Sequence, residues 1–197
     1  MSIHGKERVT GVTVAEVDEH LKPILGTEKE YNCDTVILSV GLIPENELAK
    51  EAGIELDPHT SGAFIDESLQ TCVPGFFAAG NVLHVHDLVD FVTEEAELVA
   101  ENVEKYLKED CLPICNISVV PGENIGHVIP QRISGTKPVE LSLRPSCKLT
   151  NATLKAKQGN RVLGQTKLRK AVPAEMIHLK ITCPDPNDHT EIEVSAK

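Results

Sequence analysis

Thr71-Cys72-Val73-Pro74-Gly75-Phe76-Phe77-Ala78-Ala79-Gly80-Asn81 is the stretch whose reading decides the fold. It is a compact apolar run closed by glycine, and taken alone it reads as a strand running into a turn. Downstream lies the best helix of the chain. Val92, Ala96, Val99, Ala100, Val103 and Leu107 recur at spacings of three and four, which places them on one helix face. Asp90 is the predicted N-cap; Glu94, Glu95 and Glu97 come early and Lys105 and Lys108 late, an order that suits the helix dipole.

Upstream, Thr35-Val36-Ile37-Leu38-Ser39-Val40-Gly41 is nearly continuous in apolar residues, the pattern of a strand covered on both faces of a parallel sheet. Pro44, the run Glu45 to Ala52 and then Gly53 predict a short helix with proline at its start and glycine past its end. Val12 and Val14 alternate with Thr13 and Ala15 as in a half-buried strand, and Thr27 to Glu30 reads as exposed connection. Ala63 to Ile65 is a candidate short strand.

The character changes near Leu112-Pro113. Val139, Leu141 and Leu143 alternate with Glu140, Ser142 and Arg144, and Leu154 and Ala156 with Lys155 and Lys157. Ile177, Leu179 and Ile181, then Ile192 and Val194, repeat the pattern. Short strands separated by Gly, Pro and Asn predict a small sandwich or barrel. The expected organisation is an α/β module over residues 1–110 and an all-β, sandwich-like domain over 111–197.

Composition narrows the function. Hydrophobic residues make up 41% of the 197, enough for a packed core, and with aromatics at 3% that core must be aliphatic. A net charge of −11 argues against a nucleic-acid binder, since Lys167, Arg169 and Lys170 are too few to line a phosphate groove. No apolar run is long enough for a membrane span. The six cysteines (Cys33, Cys72, Cys111, Cys115, Cys147 and Cys183) are irregularly spaced in a chain that is long for a disulfide scaffold, so a cytoplasmic protein with reduced thiols is expected.

The segment ending in Gly80-Asn81 resembles the T-x-x-P-x-x-[FY]-A-x-G-D segment of the pyridine nucleotide–disulfide oxidoreductase family, with Asn81 where the family carries an acid. Asp34 to Asn46 looks like that family's D-x-V-[IV]-x-[AS]-x-G-x-x-P-N stretch, and the two occur in the family's order. The resemblance covers roughly residues 5–108. It implies the C-terminal part of a three-layer FAD/NAD(P)-binding fold, in which the strand ending at Gly80 and the start of the next helix face the flavin. Glycine lets backbone approach the cofactor, and a helix N-terminus favours negative charge on a reduced flavin. On this reading Gly80, Asn81, Val89, Asp90 and Phe91 form one wall of an FAD site. The cofactors implied are FAD with NAD or NADP as co-substrate, and the partners a small-molecule substrate or a partner oxidoreductase subunit. The β-rich half is similar to an extra domain of flavoprotein subunits in anaerobic glycerol-3-phosphate-type dehydrogenase systems.

The family's G-x-G-x-x-G fingerprints, whose backbone N–H groups cradle pyrophosphate, are absent from the chain. The expectation is therefore a fragment, inactive by itself, of an FAD-dependent NAD(P)H oxidoreductase, with no catalytic acid or base assigned. The alternative is a non-catalytic interaction subunit on a vestigial flavoprotein scaffold, with its β-rich half docking a partner.

Other candidates have plainer readings. His84-Val85-His86-Asp87 with Asp90 offers zinc-ligand types, yet no further His or Cys pair at ligand spacing accompanies it. It is read as a loop capping the next helix, and no metal is assigned. Cys111 and Cys115 are four apart, not the Cys-x-x-Cys of a redox pair, and Cys72 lacks a cationic neighbour in sequence to activate it.

Overall fold

The structure, a computed structural model, describes residues 2–18, 22–39, 41–109 and 111–197. The chain divides into two compact units, Met1–Gly41 and Leu42–Lys197. The expected module boundary at 110/111 falls inside the second unit, and Asp110 itself lies outside the described residues.

The first unit is a three-stranded antiparallel sheet of β1 (Ser2–His4), β2 (Gly11–Val14) and β3 (Lys29–Tyr31), in that order. Lys29 and Glu30, expected as connection, are strand residues. β2 carries no alternation of burial beyond Gly11: Val12, Thr13 and Val14 are all half-buried. Thr35–Ser39, expected to be strand, has no regular structure; Ile37 is 88% and Leu38 70% exposed. Val40 lies outside the described residues. A doubly covered strand needs neighbours on both edges and layers on both faces, and among the described residues none of the strands in this unit pairs with the run.

In the second unit, α1 (Glu47–Glu51) forms where Pro44 and Gly53 predict it. Asn46 at its N-cap makes no capping bond with its side chain; the amide turns inward and donates to the carbonyls of Ser61 (2.9 Å) and Val82 (2.7 Å). Ala63 and Ile65 make isolated bridges, to Leu56 and Thr71, and Phe77 bridges Gln70. The apolar run quoted above thus ends not in a sheet strand but in a 3₁₀ turn at Gly80–Val82. Then α2 (Val89–Glu109) runs for 21 residues. Asp90 lies in its first turn rather than at its cap.

The predicted alternation is realised beyond residue 116. The strands are β4 (Ile117–Pro121), β5 (Ile125–Ile129), β6 (Arg132–Ile133), β7 (Val139–Pro145), β8 (Leu149–Gln158), β9 (Arg161–Ala171), β10 (Ile177–Ile181) and β11 (Ile192–Ala196). They form a sheet ordered β10-β7-β5 and another ordered β6-β4-β11-β8-β9, antiparallel except for β4 beside β11. Leu141, Leu143, Leu154, Ala156, Leu179, Ile181, Ile192 and Val194 share one aliphatic core, while Glu140, Lys180 and Glu193 point outward. Lys167, Arg169 and Lys170 are exposed on edge strand β9, where charge discourages pairing with another chain.

A second cluster (Ile54, Ala63, Ile65, Leu69, Leu83 and Ile129) joins the loops before α2 to β5. Buried hydrogen bonds follow the same seam. Gln131 Nε2 donates to Asp57 Oδ2 (2.9 Å), and the Ile65 N–H to Gln131 Oε1 (3.1 Å). The N–H and hydroxyl of Ser134 both donate to Glu67 at 2.8 Å. Gly62 is required here, because a Cβ would sit 1.7 Å from the Leu83 carbonyl oxygen.

Candidate functional site

Between the 3₁₀ turn and α2 the chain folds back on itself. Gly80 is buried with φ +69°, a conformation that favours glycine, and it turns the chain under α2. Glu95 of α2 reaches that turn. One of its oxygens accepts the Gly80 N–H and lies 3.1 Å from His86 Nε2; the other lies 2.9 Å from His84 Nε2. An ionised carboxylate only accepts, so both imidazoles carry their proton on Nε2 in this arrangement. All three side chains are sequestered, with exposures of 1% for His84, 5% for His86 and 12% for Glu95. Burial pushes the Glu95 carboxyl up, but the His84 hydrogen bond and charge and the Gly80 N–H outweigh it and hold the group below its usual range. His86 is held below the ordinary imidazole range by burial and by the neighbouring His84.

Two orphaned ring nitrogens accompany the cluster. His84 Nδ1 and His127 Nε2 are buried with no hydrogen-bond partner among the described residues, in rings 6.4 Å apart. Burial and the proximity of His84 and Arg144 bring His127 down to about 4.

Asp87 does not cap α2. Burial pushes its carboxyl up, yet the Met176 N–H (2.6 Å) and the Arg144 guanidinium of β7 bind it and bring it lower. Arg144 also donates to the Val85 carbonyl at 2.9 Å. The loop between turn and helix is therefore bolted to the β10-β7-β5 sheet.

Two concavities adjoin the loop. A groove of about 410 Å³ is lined by Asn81, His86, Asp87, Leu88, Val89 and Val92. A cavity of about 300 Å³ lies between α2 and the β-rich part; Phe91, His86, Glu95, Glu67, Lys137 and His178 line it among others. Of the five residues expected at a flavin, Asn81 and Val89 share the groove, while Gly80 is buried behind it. Asp90 is exposed, and Phe91 faces the cavity with its ring 4.8 Å from that of His178.

The sequence pattern described as pyridine nucleotide-disulphide oxidoreductase matches residues 2–104, over half of the chain. The chain belongs to this family.

Among curated relatives, an NADH oxidase of Methanocaldococcus jannaschii is 34% identical over 99 residues, 49% of this chain and 18% of that protein. An NAD(P)H sulfur oxidoreductase (CoA-dependent) of Pyrococcus furiosus is 30% identical, covering 45% of this chain and 17% of its own. An NADH oxidase of Streptococcus pyogenes is 32% identical, covering 44% and 19%. The chain thus spans less than a fifth of the length of these relatives. The likeness to anaerobic glycerol-3-phosphate-type subunits gains no support from these names.

Sequence reading of this family member missed two residues. Glu95 was assigned to the dipole-facing acids, and Arg144 to the outward side of a strand. For Glu95 a signal was present: it lies between Val92 and Val99 at helical spacing, an acid on the half-buried stripe. For Arg144 none was, because its partner Asp87 is 57 residues away. Among the described residues no helix is long and apolar enough to cross a membrane.

Proposed function

We propose that this chain supplies one wall of the FAD site of an FAD-dependent NAD(P)H oxidoreductase, which passes hydride or electrons between a nicotinamide cofactor, the flavin and a small-molecule substrate or partner subunit. The observation that carries the reading is the buried, positive-φ Gly80 turn, which leaves Asn81 exposed beside the open start of α2 in a family whose members include NADH oxidases. The residues fit a flavin on one side. The groove at Asn81 and Val89 has room, the unpaired N–H groups of the first turn of α2 are a partial positive charge, and the Asn81 amide retains its N–H₂ as a donor. Its Oδ1 is already engaged, accepting the His86 N–H at 3.1 Å.

When bound, the flavin supplies the hydride chemistry. The chain's own residues position it. Gly80 shapes the backbone, Asn81 donates to the FAD side chain, and Val89, Asp90 and Phe91 place the helix start. On this reading the pyrophosphate cradle is not supplied by these residues, and the chain by itself is inactive. We place the protein in the cytoplasm, in keeping with its six free cysteines, and consider a glycerol-3-phosphate-type dehydrogenase system its finest assignment.

The alternative, an interaction subunit whose β-rich half docks a partner, rests on the exposed basic edge of β9. Titrating FAD into a protein that contains this chain and into its Asn81→Leu variant tests the choice. Stoichiometric FAD weakened by the substitution supports the flavin wall; no FAD binding by that protein overturns it in favour of the interaction subunit.

A further inference from the structure

The geometry points to a divalent-cation site formed by His84, His86 and Glu95, of the class that takes zinc or another first-row transition ion. It does not rest on the flavin reading: His86 alone of the three also lines the groove at Asn81, and none of the three is among the residues expected at the flavin.

The ligand atoms are already gathered. One atom from each of the three side chains lies within 4.8 Å of the others, and the two imidazoles approach the carboxylate to 2.9 and 3.1 Å. Two ligands bound at about 2.0–2.1 Å with tetrahedral angles are separated by roughly 3.3 Å, so a cation in place of the two Nε2 protons draws in atoms that now lie within 4.8 Å of one another, the imidazoles starting from different oxygens of Glu95. Two imidazoles and one carboxylate are a ligand set that leaves a position open. Here both His86 and Glu95 line the cavity of about 300 Å³, which supplies an entry path and room for a water or oxygen donor.

Supporting contacts hold the ligands in place, as ligand-orienting hydrogen bonds do at metal centres. The Gly80 N–H fixes the Glu95 carboxylate, and Asn81 Oδ1 accepts the backbone N–H of His86 and so holds the loop that carries the ring. Binding at Nε2 moves each imidazole proton to Nδ1. For His84 that atom has no partner among the described residues, and the adjoining ring, His127, holds an equally orphaned Nε2. The surrounding charge is acidic: Glu67, Glu94 and Glu140 border the same cavity, Lys137 there pairs with Glu67 at 3.8 Å, and the Arg144 guanidinium is paired with Asp87.

The test uses the purified chain with cobalt and zinc. One equivalent of Co²⁺ should bind with visible absorption of tetrahedral or five-coordinate type, and Zn²⁺ should displace it. Glu95→Gln and His86→Gln should each weaken binding by roughly a hundredfold or more, whereas Cys111→Ser should leave it unchanged. A thiolate-to-cobalt charge-transfer band, absence of binding by the wild-type chain, or wild-type affinity in either site variant overturns the proposal. Should either variant fail to fold, X-ray absorption on the zinc-loaded wild-type chain decides. A nitrogen and oxygen shell with scattering from two imidazoles is expected, and a sulfur shell or fewer than two imidazoles refutes the site.

Discussion

Nε2 of His84 lies 2.9 Å from Oε1 of Glu95, a pair eleven residues apart with both members almost fully buried. Through it the helix α2 holds the turn from which the candidate site is built. Removing the carboxylate leaves the Gly80 N–H and two imidazole donors without an acceptor. Glu95→Ala should therefore lower stability by about 3 kcal/mol, with Glu95→Gln losing less because it keeps one acceptor. Urea unfolding reports this as a lower midpoint with unchanged slope.

Arg144 and Asp87 should behave as one unit. Each is largely covered, and each holds backbone as well as the other: Arg144 the Val85 carbonyl, Asp87 the Met176 N–H. Arg144→Met and Asp87→Asn, singly and together, should show a coupling of about 1–2 kcal/mol in a double-mutant cycle. Strict additivity would mean that the loop 84–88 is held by its backbone contacts alone.

The thiols should divide sharply. Burial, with Asp66 and Glu67 nearby, pushes Cys115 from 9.0 up to about 12, while Cys111 is exposed. At about pH 8 the thiolate fraction of Cys115 is lower by roughly a thousandfold, so brief alkylation followed by peptide mass analysis should label Cys111 and spare Cys115. The sign for stability follows. The folded value lies above the unfolded one, so Cys115 has no effect on stability below about pH 9 and lowers it as pH rises through about 12. Cys115→Ala should flatten that alkaline loss in thermal melts.

Residues 111–116 have no regular structure, and Cys111 and Ile114 are exposed. Limited proteolysis should cut there first. The two pieces should nonetheless stay together through gel filtration, because Asp57 with Gln131 and Glu67 with Ser134 are buried hydrogen-bonded pairs spanning the cut. Separation on nicking would show that this seam contributes little.

For the proposed flavin wall, Asn81→Leu in an FAD-binding protein that contains this chain should reduce FAD affinity by roughly fivefold to a hundredfold, the cost of about 1–3 kcal/mol for a lost buried hydrogen bond. Asn81→Asp should bind about as well as wild type unless Asp87 or Asp90 opposes the added charge. A joint change of Lys167 and Arg169 on β9 should leave FAD binding untouched. Unchanged affinity in Asn81→Leu removes this residue from the site.

The strands of the β-rich part and the helix α2 were legible in the sequence because their signal is local. A period of two at Val139, Leu141 and Leu143 records which side of a strand meets the core, whereas the face expected on α2 is covered only in part: Val92, Val99 and Val103 are half-buried, and Ala96, Ala100 and Leu107 are exposed. The family resemblance around Gly80 was equally legible, since it resides in residue order. Tertiary structure alone decided the rest. Thr35–Ser39 has the composition of a buried strand, but such a strand exists only where neighbours pair with it, and here Ile37 and Leu38 stand exposed. In sequence His84 and His86 stand beside Asp87 and Asp90 with no further His or Cys pair, and the fold brings them Glu95 instead by turning the chain at Gly80 under α2. Arg144 found Asp87 across 57 residues. Periodicity reports the face of an element that is covered, whereas the identity of a polar group's partner depends on how distant elements pack, and no local pattern encodes that.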